Sequence, residues 1–288
     1  MLLLDLSAII TQTCINLHKD LNGREVDVNV VRHTAMSSIL YYKKKFSRQY
    51  GKPVVCVDRK PYWRESVFEF YKQNRKKSRD KSNIDWKAFS ENFKEIQPDI
   101  RDYCPYPFIE VARCEADDSI AVLAQYAYAR KEPILIVSSD KDLIQLQDRY
   151  PGTRQWSPKQ KKFIFAKDNE YDLLTHIIKG DSSDGIPNIF SPANVLVTEG
   201  IRQKVVSAKM LEAAHACDDP LDFCETDEIK KNFKRNRLII DLNRIPERIS
   251  DKVIACYEAE TIEPKPNRMM ACVKKYRMRN LIDSVKDF

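Results

Sequence analysis

The chain has 288 residues, of which 43% are hydrophobic and 32% are charged, and its formal net charge is +7. This length predicts one large domain, or a main domain with a smaller appendage, and the hydrophobic share supports a buried core. No apolar run approaches the roughly 20 residues of a membrane-spanning helix, and the first residues do not have the pattern of a signal peptide. We therefore expect a soluble cytoplasmic protein with no membrane partner.

Cysteine, histidine and glycine usage excludes several kinds of site. The eight cysteines form no C-x-x-C pair, and with only four histidines there is no Cys/His cluster with zinc spacing. The six glycines form neither G-x-G-x-x-G nor a P-loop. Phosphates of a ligand would therefore be held by metals, lysines and arginines. The positive net charge favours a nucleic-acid partner, although a solvated basic surface remains an alternative.

The first half of the chain alternates predicted strands with predicted helices. Leu2 to Leu6 is a strand-like apolar run that contains Asp5, and helical periodicity follows from Val28 to Tyr50. Pro53 to Val57 is a second strand, directly followed by Asp58. Residues 62–103 are a mixture of helix and basic linker.

The pattern continues to about residue 170. Further predicted strands are Phe108–Val111, Ile134–Val137, Arg154–Ser157 and Lys162–Phe165, and a helix is predicted for Glu115–Ala129. From Tyr171 onward the chain looks helical. The alternation predicts an α/β fold with a twisted, mainly parallel sheet flanked by helices, followed by a smaller C-terminal all-α domain. Ligands of such sheets bind beyond the carboxyl ends of the strands.

Nine carboxylates lie at places that such a sheet would bring together: Asp5, Asp58, Glu115, Asp117, Asp118, Asp140, Asp142, Asp181 and Asp184. Two carboxylates ~4 Å apart repel by ~4 kcal/mol at an effective dielectric near 20. A cluster of this size therefore predicts bound cations, and oxygen ligands favour Mg²⁺ or Mn²⁺. Taken singly, the pairs have plainer interpretations, because acidic residues at a helix start complement its dipole and aspartates also cap turns.

A basic and aromatic segment runs from Tyr62 to Lys81. On one continuous helix, the side chains of Arg64, Phe68, Lys72, Arg75 and Arg79 would share a face. This face could bind phosphates while neighbouring aromatic rings stack on unpaired bases, and an exposed linker is the alternative. Two further basic runs, Lys230–Arg237 and Lys265–Arg279, suit contacts with a duplex backbone.

Seven short segments together resemble a known family. They are Leu-Leu-Asp-Leu-Ser (3–7), Cys-Val-Asp (56–58), Tyr-Trp-Arg with Phe-Tyr-Lys-Gln-Asn-Arg-Lys-Lys (62–77), Glu-Ala-Asp-Asp-Ser-Ile-Ala-Val-Leu (115–123), Ile-Val-Ser-Ser-Asp-Lys-Asp (136–142), Gln-Trp-Ser-Pro (155–158) and Lys-Gly-Asp-Ser-Ser-Asp (179–184). In this order they resemble the 5′-nuclease superfamily, which includes flap endonucleases and phage 5′→3′ exonucleases. The resemblance implies a PIN-like fold. The resemblance is dense to about residue 185 and thinner beyond.

The resemblance implies a division of the chain and roles for particular residues. Residues 1–180 would be the nuclease domain, with a helical arch at about 62–103, and residues 181–288 a helical DNA-binding domain. Two Mg²⁺ ions are implied, for which Mn²⁺ would substitute. Asp5, Asp58, Asp117 and Asp140 would make the inner metal site with Glu115 nearby, and Asp118, Asp142, Asp181 and Asp184 would surround the second.

The resemblance also implies catalytic and nucleic-acid-binding residues. Asp117, Asp140 and Lys72 would be catalytic, with Lys72 at the base of the arch. Contacts with nucleic acid would come from Arg64, Lys72, Arg75, Lys76, Arg79, Lys230, Lys231, Lys234 and Arg235.

The implied function is a Mg²⁺-dependent 5′→3′ exonuclease with ribonuclease H and flap endonuclease activity, which removes RNA primers and adjacent DNA during phage DNA replication. Its partners would be RNA–DNA hybrid, 5′-flap or nicked duplex, a single-stranded-DNA-binding protein and a sliding clamp, and it would act as a monomer in the host bacterial cytoplasm. Two alternatives are a non-catalytic nucleic-acid-binding module on the same fold and a haloacid-dehalogenase-like phosphohydrolase. The phosphohydrolase needs a second aspartate two residues after Asp5, where this chain has Ser7.

Overall fold

The computed structural model describes residues 1–20, 27–80, 85–166, 171–262 and 267–288. The chain forms two compact units. The sheet unit comprises Met1–Lys60, Asn83–Asp168 and Glu247–Phe288, and the helical unit comprises Pro61–Ser82 and Asn169–Pro246.

The strands belong to the sheet unit and form one sheet. They are β1 (Leu2–Asp5), β2 (Pro53–Cys56), β3 (Phe108–Ile109), β4 (Leu135–Val137), β5 (Arg154–Ser157) and β6 (Lys162–Ile164). Their spatial order is β3-β2-β1-β4-β5-β6, and all neighbours are parallel except β5 and β6, which are antiparallel. The predicted mainly parallel sheet is therefore confirmed.

The helices flank this sheet or build the helical unit. They are α1 (Leu6–Asp20), α2 (Val28–Tyr50), α3 (Trp63–Val67), α4 (Asn74–Asp80), α5 (Trp86–Tyr103), α6 (Ala116–Ala129), α7 (Gln145–Arg149), α8 (Leu173–Lys179), α9 (Ala208–His215), α10 (Asp227–Ile240), α11 (Glu247–Ile262) and α12 (Met269–Lys275). Helix α2 has the predicted bounds, because the Asp27 side chain caps its start and Gly51 ends it at a φ of 82°.

The core of the sheet unit follows from the burial of its central strands. All four residues of β1 and of β2, and all three of β4, are buried, as in parallel sheets covered on both faces. The apolar stripe of α2, which includes Val31, Ala35 and Ile39, is fully buried against them. No helix in the described ranges is both long and apolar enough to cross a bilayer.

Residues 247–288 complete the sheet unit rather than the helical one. Helix α11 packs on α6 and β3, and α12 packs on α5. The main anchor is Arg32 of α2, which is fully buried and donates to Asp99 Oδ2 of α5 at 2.8 Å. Tyr276, just after α12, donates to the other oxygen of Asp99 at 2.7 Å and stacks on the Arg32 guanidinium at 3.8 Å.

The helical unit has its own apolar core. Helices α8 and α10 pack together, with Ile177, Ile178, Phe233 and Ile240 buried between them and neighbouring segments. Asn236 of α10 is fully buried and donates to the carbonyl oxygens of Ile177 and Pro187 at 3.0 and 2.8 Å. These bonds hold the loop after α8 against α10.

Two features differ from the sequence predictions. The compact units are not divided at residue 180, because residues 61–82 pack with 169–246 and residues 247–288 pack with the sheet. The shared face that a continuous helix would give Arg64 to Arg79 does not form, since α3 ends at Val67, Phe68 is extended and Lys72 has a φ of 58°. Two residues of the predicted basic runs, Lys81 and Lys265, lie outside the described residues.

We predict that Asp99→Ala lowers the free energy of unfolding by about 3–5 kcal/mol, because it removes the more buried of the two carboxylates that pair with the fully buried Arg32. Urea unfolding would measure the loss. Lys44→Ala is the control, since Lys44 forms an exposed pair with Asp287, and it should leave stability nearly unchanged. Equal effects of the two substitutions would contradict the anchoring role of Asp99.

Candidate active site

Two aspartates lie at the carboxyl ends of neighbouring strands. Asp5 is the last residue of β1 and is in register with Cys56, the last residue of β2, and Asp58 follows two residues later. Asp5 is only 5% exposed, whereas Asp58 is half-buried. The parallel register of β1 and β2 therefore carries both carboxylates to the same sheet edge.

Both carboxylates are oriented in the same way, by one backbone N–H at a helix start and one serine hydroxyl. Asp5 accepts from Ala8 N at 2.9 Å and from Ser138 Oγ at 2.7 Å. Asp58 accepts from Ala116 N at 2.9 Å and from Ser7 Oγ at 2.6 Å. Each oxygen thus keeps a lone pair for a further ligand.

The first turn of α6 carries the Glu115, Asp117 and Asp118 cluster. Glu115 and Asp118 form a capping box, in which each side chain accepts from the backbone N–H of the other. Both are buried, with Asp118 fully so, while Asp117 is half-buried. The plainer interpretation, helix capping, thus describes both Glu115 and Asp118, and their assignment to the metal sites stays a prediction.

Asp140 and Asp142 follow β4 in a tight turn. Asp140 is exposed, its N–H donates to Ser138 Oγ at 3.1 Å, and its Oδ1 accepts from Asp142 N at 2.9 Å. One hydroxyl, that of Ser138, therefore joins the Asp140 backbone to the Asp5 carboxylate. The chain of bonds places Asp140 at the sheet edge that carries Asp5 and Asp58.

The residues that orient these carboxylates were not among the site residues predicted from the sequence. They are Ser7, Ser138 and Gln155, of which Ser138 and Gln155 are fully buried. Their positions in the sequence could have identified them. Each serine stands two residues from an aspartate, and Gln155 is a polar residue inside a predicted strand.

Electrostatics at this edge are unfavourable without a counter-charge. Burial and, to a lesser degree, the nearby charges of Asp58 and Asp140 raise the pKa of Asp5 to about 7, although the hydrogen bonds from Ala8 and Ser138 oppose this rise. Oxygen donors that keep lone pairs yet repel each other match the ligand preference of a hard divalent cation. The donor set in the sheet unit therefore fits such an ion.

The helical unit holds the other predicted carboxylates. Asp184 is paired with two cations: Lys72 Nζ lies 3.4 Å from Oδ2, and Arg75 Nη2 donates to Oδ1. Its backbone oxygen also accepts from Lys72 N at 2.7 Å, which supports the left-handed conformation of Lys72. Gly185 permits this close approach, because a Cβ there would lie 3.0 Å from the Phe70 carbonyl oxygen.

Asp181 is stabilised in its ionised form. Although burial alone would raise its pKa, hydrogen bonds from His176 and Ser183 outweigh burial and lower it to about 2. Together with the pairing of Asp184, this gives both carboxylates local positive or donor partners. Their assignment to a second metal ion, with Asp142, stays a prediction.

The predicted nucleic-acid contacts differ in exposure. Arg64 is only 3% exposed and donates to Ile239 O at 2.9 Å, so it is not the surface cation that was predicted. Lys76, Arg79, Lys230, Lys231 and Lys234 are exposed. Their predicted contacts with phosphates stay a prediction.

Arg235 is held differently from its neighbours on α10. Its guanidinium donates to Asn232 Oδ1 at 2.9 Å and twice to Asn236 Oδ1, and it stacks on the Phe68 ring at 4.6 Å. Burial lowers its pKa to about 10, so it remains a cation at neutral pH. Within the described residues, two of its five N–H groups make no hydrogen bond, and it forms no ion pair with a carboxylate.

Comparisons with known proteins cover nearly the whole chain. Residues 1–172 match the family of the 5′-3′ exonuclease, N-terminal resolvase-like domain, and residues 167–288 match the family of the T4 RNase H, C-terminal region. The chain is 30% identical to ribonuclease H of Enterobacteria phage T4, over 99% of this chain and 95% of that protein. It is also 30% identical to a 5′-3′ exonuclease of Buchnera aphidicola over 47% of each chain.

Solved structures show the same fold. The bacteriophage T5 D15 flap endonuclease, in a pseudo-enzyme–product complex with DNA and metal ions, superposes with a TM-score of 0.63 at 17% identity, over 89% of this chain and 98% of that one. The T5 5′-exonuclease with bound zinc superposes with a TM-score of 0.62, also at 17% identity, over 90% and 98%.

We predict that Asp5 makes the metal-free protein less stable as pH rises. Its pKa goes from 3.8 to about 7 on folding, so the folded protein holds an extra proton between these values, and this stabilisation is lost as pH rises through the window. In EDTA, the free energy of unfolding should fall by roughly 1–3 kcal/mol more from pH 4 to pH 7 in the wild type than in Asp5→Asn. If the free energy of unfolding changed with pH equally in the wild type and in Asp5→Asn, the raised pKa of Asp5 would be contradicted.

Proposed function

Because the chain belongs to the family of 5′→3′ exonucleases with a resolvase-like N-terminal domain, we propose that it is a Mg²⁺-dependent nuclease with ribonuclease H and flap endonuclease activity. We propose further that it removes RNA primers and adjacent DNA during phage DNA replication. The observation that carries the proposal is the pair Asp5 and Asp58, with Asp140 close to Asp5. Each carboxylate oxygen of the pair accepts one hydrogen bond and keeps a lone pair for a metal ion.

The proposed metal ligands are Asp5, Asp58, Asp117 and Asp140, with Glu115 nearby. When bound there, Mg²⁺ would lower the pKa of a water molecule and neutralise the scissile phosphate. The chain's own contribution is to hold the carboxylates in place before the ion binds. The backbone N–H groups of Ala8 and Ala116 and two serine hydroxyls do this at little cost in side-chain freedom.

Lys72 is the proposed electrostatic group for the reaction. Its ammonium lies 5.4 Å from the centre of the Tyr62 ring and 5.0 Å from that of Tyr71, and its backbone is fixed by Asp184. A cation held in this way can stabilise negative charge that develops on a phosphate. Its pairing with Asp184 supports the alternative that it is a structural counter-ion, so its catalytic role remains a proposal.

Neither of the two alternative functions is supported by the structure. A haloacid-dehalogenase-like enzyme needs a carboxylate at position 7, whereas the Ser7 hydroxyl is committed to Asp58. A binding module without catalysis would not need acidic residues that repel each other at a sheet edge. Proposed partners are RNA–DNA hybrid and 5′-flap or nicked duplex, a single-stranded-DNA-binding protein and a sliding clamp, with a monomer acting in the host cytoplasm.

We predict that Asp140→Asn abolishes cleavage of a 5′-labelled RNA–DNA hybrid in Mg²⁺ while nucleic-acid binding in Ca²⁺ is kept or tightened. The substitution removes a metal ligand together with a charge that repels phosphate. Asp148→Asn, at an exposed carboxylate of α7, is the control and should cleave normally. Near-normal turnover by Asp140→Asn, or EDTA-resistant cleavage by the wild type, would refute the proposed metal chemistry.

We predict that Arg235 contributes more to nucleic-acid binding than an exposed lysine of the same helix, because its guanidinium is already fixed by two asparagines and a ring. Binding to nicked duplex in Ca²⁺ should be measured across a salt series for Arg235→Ala and Lys234→Ala. Each lost phosphate contact reduces the salt slope by about 1, and the affinity loss should be larger for Arg235→Ala. An unchanged slope for Arg235→Ala, with a folded protein, would assign Arg235 to packing alone.

A further inference from the structure

A single turn connects two of the proposed metal ligands through hydrogen bonds. Ser138 is fully buried, its hydroxyl donates to Asp5 Oδ2 at 2.7 Å, and the same oxygen accepts from Asp140 N at 3.1 Å. The position of Asp140 relative to Asp5 therefore depends on the backbone of residues 138–140. Whatever fixes that backbone also fixes the spacing of the two carboxylates.

Gln155 of β5 fixes this backbone from the neighbouring strand. Its Nε2 donates to the carbonyl oxygens of Ser138, at 3.1 Å, and of Asp140, at 2.6 Å. Two carbonyl oxygens require a donor, so the amide orientation follows from chemistry. The carbonyl groups of Ser138 and Asp140, the two neighbours of Ser139, thus accept from the same nitrogen.

The amide of Gln155 is not fully satisfied. Gln155 is 0% exposed, and in the described part of the chain its Oε1 is buried with no hydrogen-bond partner. An unpaired buried acceptor is unfavourable. The position therefore carries an amide whose nitrogen bonds two carbonyl groups while its oxygen is left unsatisfied.

We propose that Gln155 is a positioning residue for a divalent metal ion, which acts through the Ser138–Asp140 turn on the carboxylates of Asp5 and Asp140. The inference rests on the proposed function, since it assumes that these carboxylates bind the ion. Residues that orient metal ligands in this way typically change metal affinity or activity by about 10–100-fold when they are replaced. The plainer interpretation is that Gln155 only satisfies two buried carbonyl groups.

Metal binding without substrate separates the two interpretations. Mn²⁺ affinity would be measured by the electron paramagnetic resonance of free Mn²⁺, and unfolding free energy would be measured in EDTA. Gln155→Met keeps most of the side-chain volume and removes the donor. Gln147→Met is the matched control, because Gln147 also donates to a backbone carbonyl, Ile164 O at 3.1 Å, and accepts from Ala166 N, with no bond to the Ser138–Asp140 turn.

We expect Gln155→Met to weaken Mn²⁺ binding by about 10–100-fold and Gln147→Met to leave it within about twofold. In an Asp140→Asn background, Gln155→Met should add little further weakening, because its route to the ion runs largely through Asp140. Unchanged Mn²⁺ affinity of Gln155→Met, with or without a loss of stability, would overturn the inference.

Two further outcomes are distinguishable. If Gln155→Met does not fold, Ser138→Ala tests the same link, and unchanged Mn²⁺ affinity of Ser138→Ala would overturn the inference. If the wild type binds no Mn²⁺, or Asp140→Asn binds it as tightly as the wild type, the proposed metal site itself fails, and the inference fails with it.

Discussion

Repulsion between carboxylates at the end of a parallel sheet is the constraint on which this molecule depends. The register of β1 with β2 and β4 brings Asp5 close to Asp58 and Asp140, and burial makes the charge of Asp5 costly. The sheet tolerates this arrangement because helix N-terminal N–H groups and serine hydroxyls donate to the carboxylates. These donors offset part of the repulsion and the proposed cation would offset the rest, so folding and metal binding would depend on the same residues.

Much of the sheet unit could be predicted from local patterns. Short apolar runs that end in aspartates have one simple arrangement, a parallel sheet with its acids at one edge, and the structure has it. Helix α2 was predictable to the residue because a periodic apolar stripe ends at a glycine. Helix α1 was not predicted, since its apolar residues follow β1 without a turn.

The remaining features depend on contacts between residues distant in sequence. Residues 64–79 have the periodicity of one helix, yet Lys72 adopts a left-handed conformation, because its N–H and ammonium both bind Asp184. A partner 112 positions away cannot be read from helical spacing. The same holds for Gln155, which donates to two carbonyl groups in the segment after β4. It also holds for residues 247–288, whose helical pattern does not reveal which unit they complete.

The anchoring of residues 247–288 by Arg32, Asp99 and Tyr276 has a consequence for synthesis on the ribosome. Met269, Cys272, Leu281 and Phe288 belong to the same apolar core as β1 and β2. β1 and β2 precede these residues in the chain, so the core around both strands is filled only after residues 269–288 have been synthesised. A nascent chain that lacks residues 269–288 would therefore hold Asp5 and Asp58 on an incompletely packed sheet.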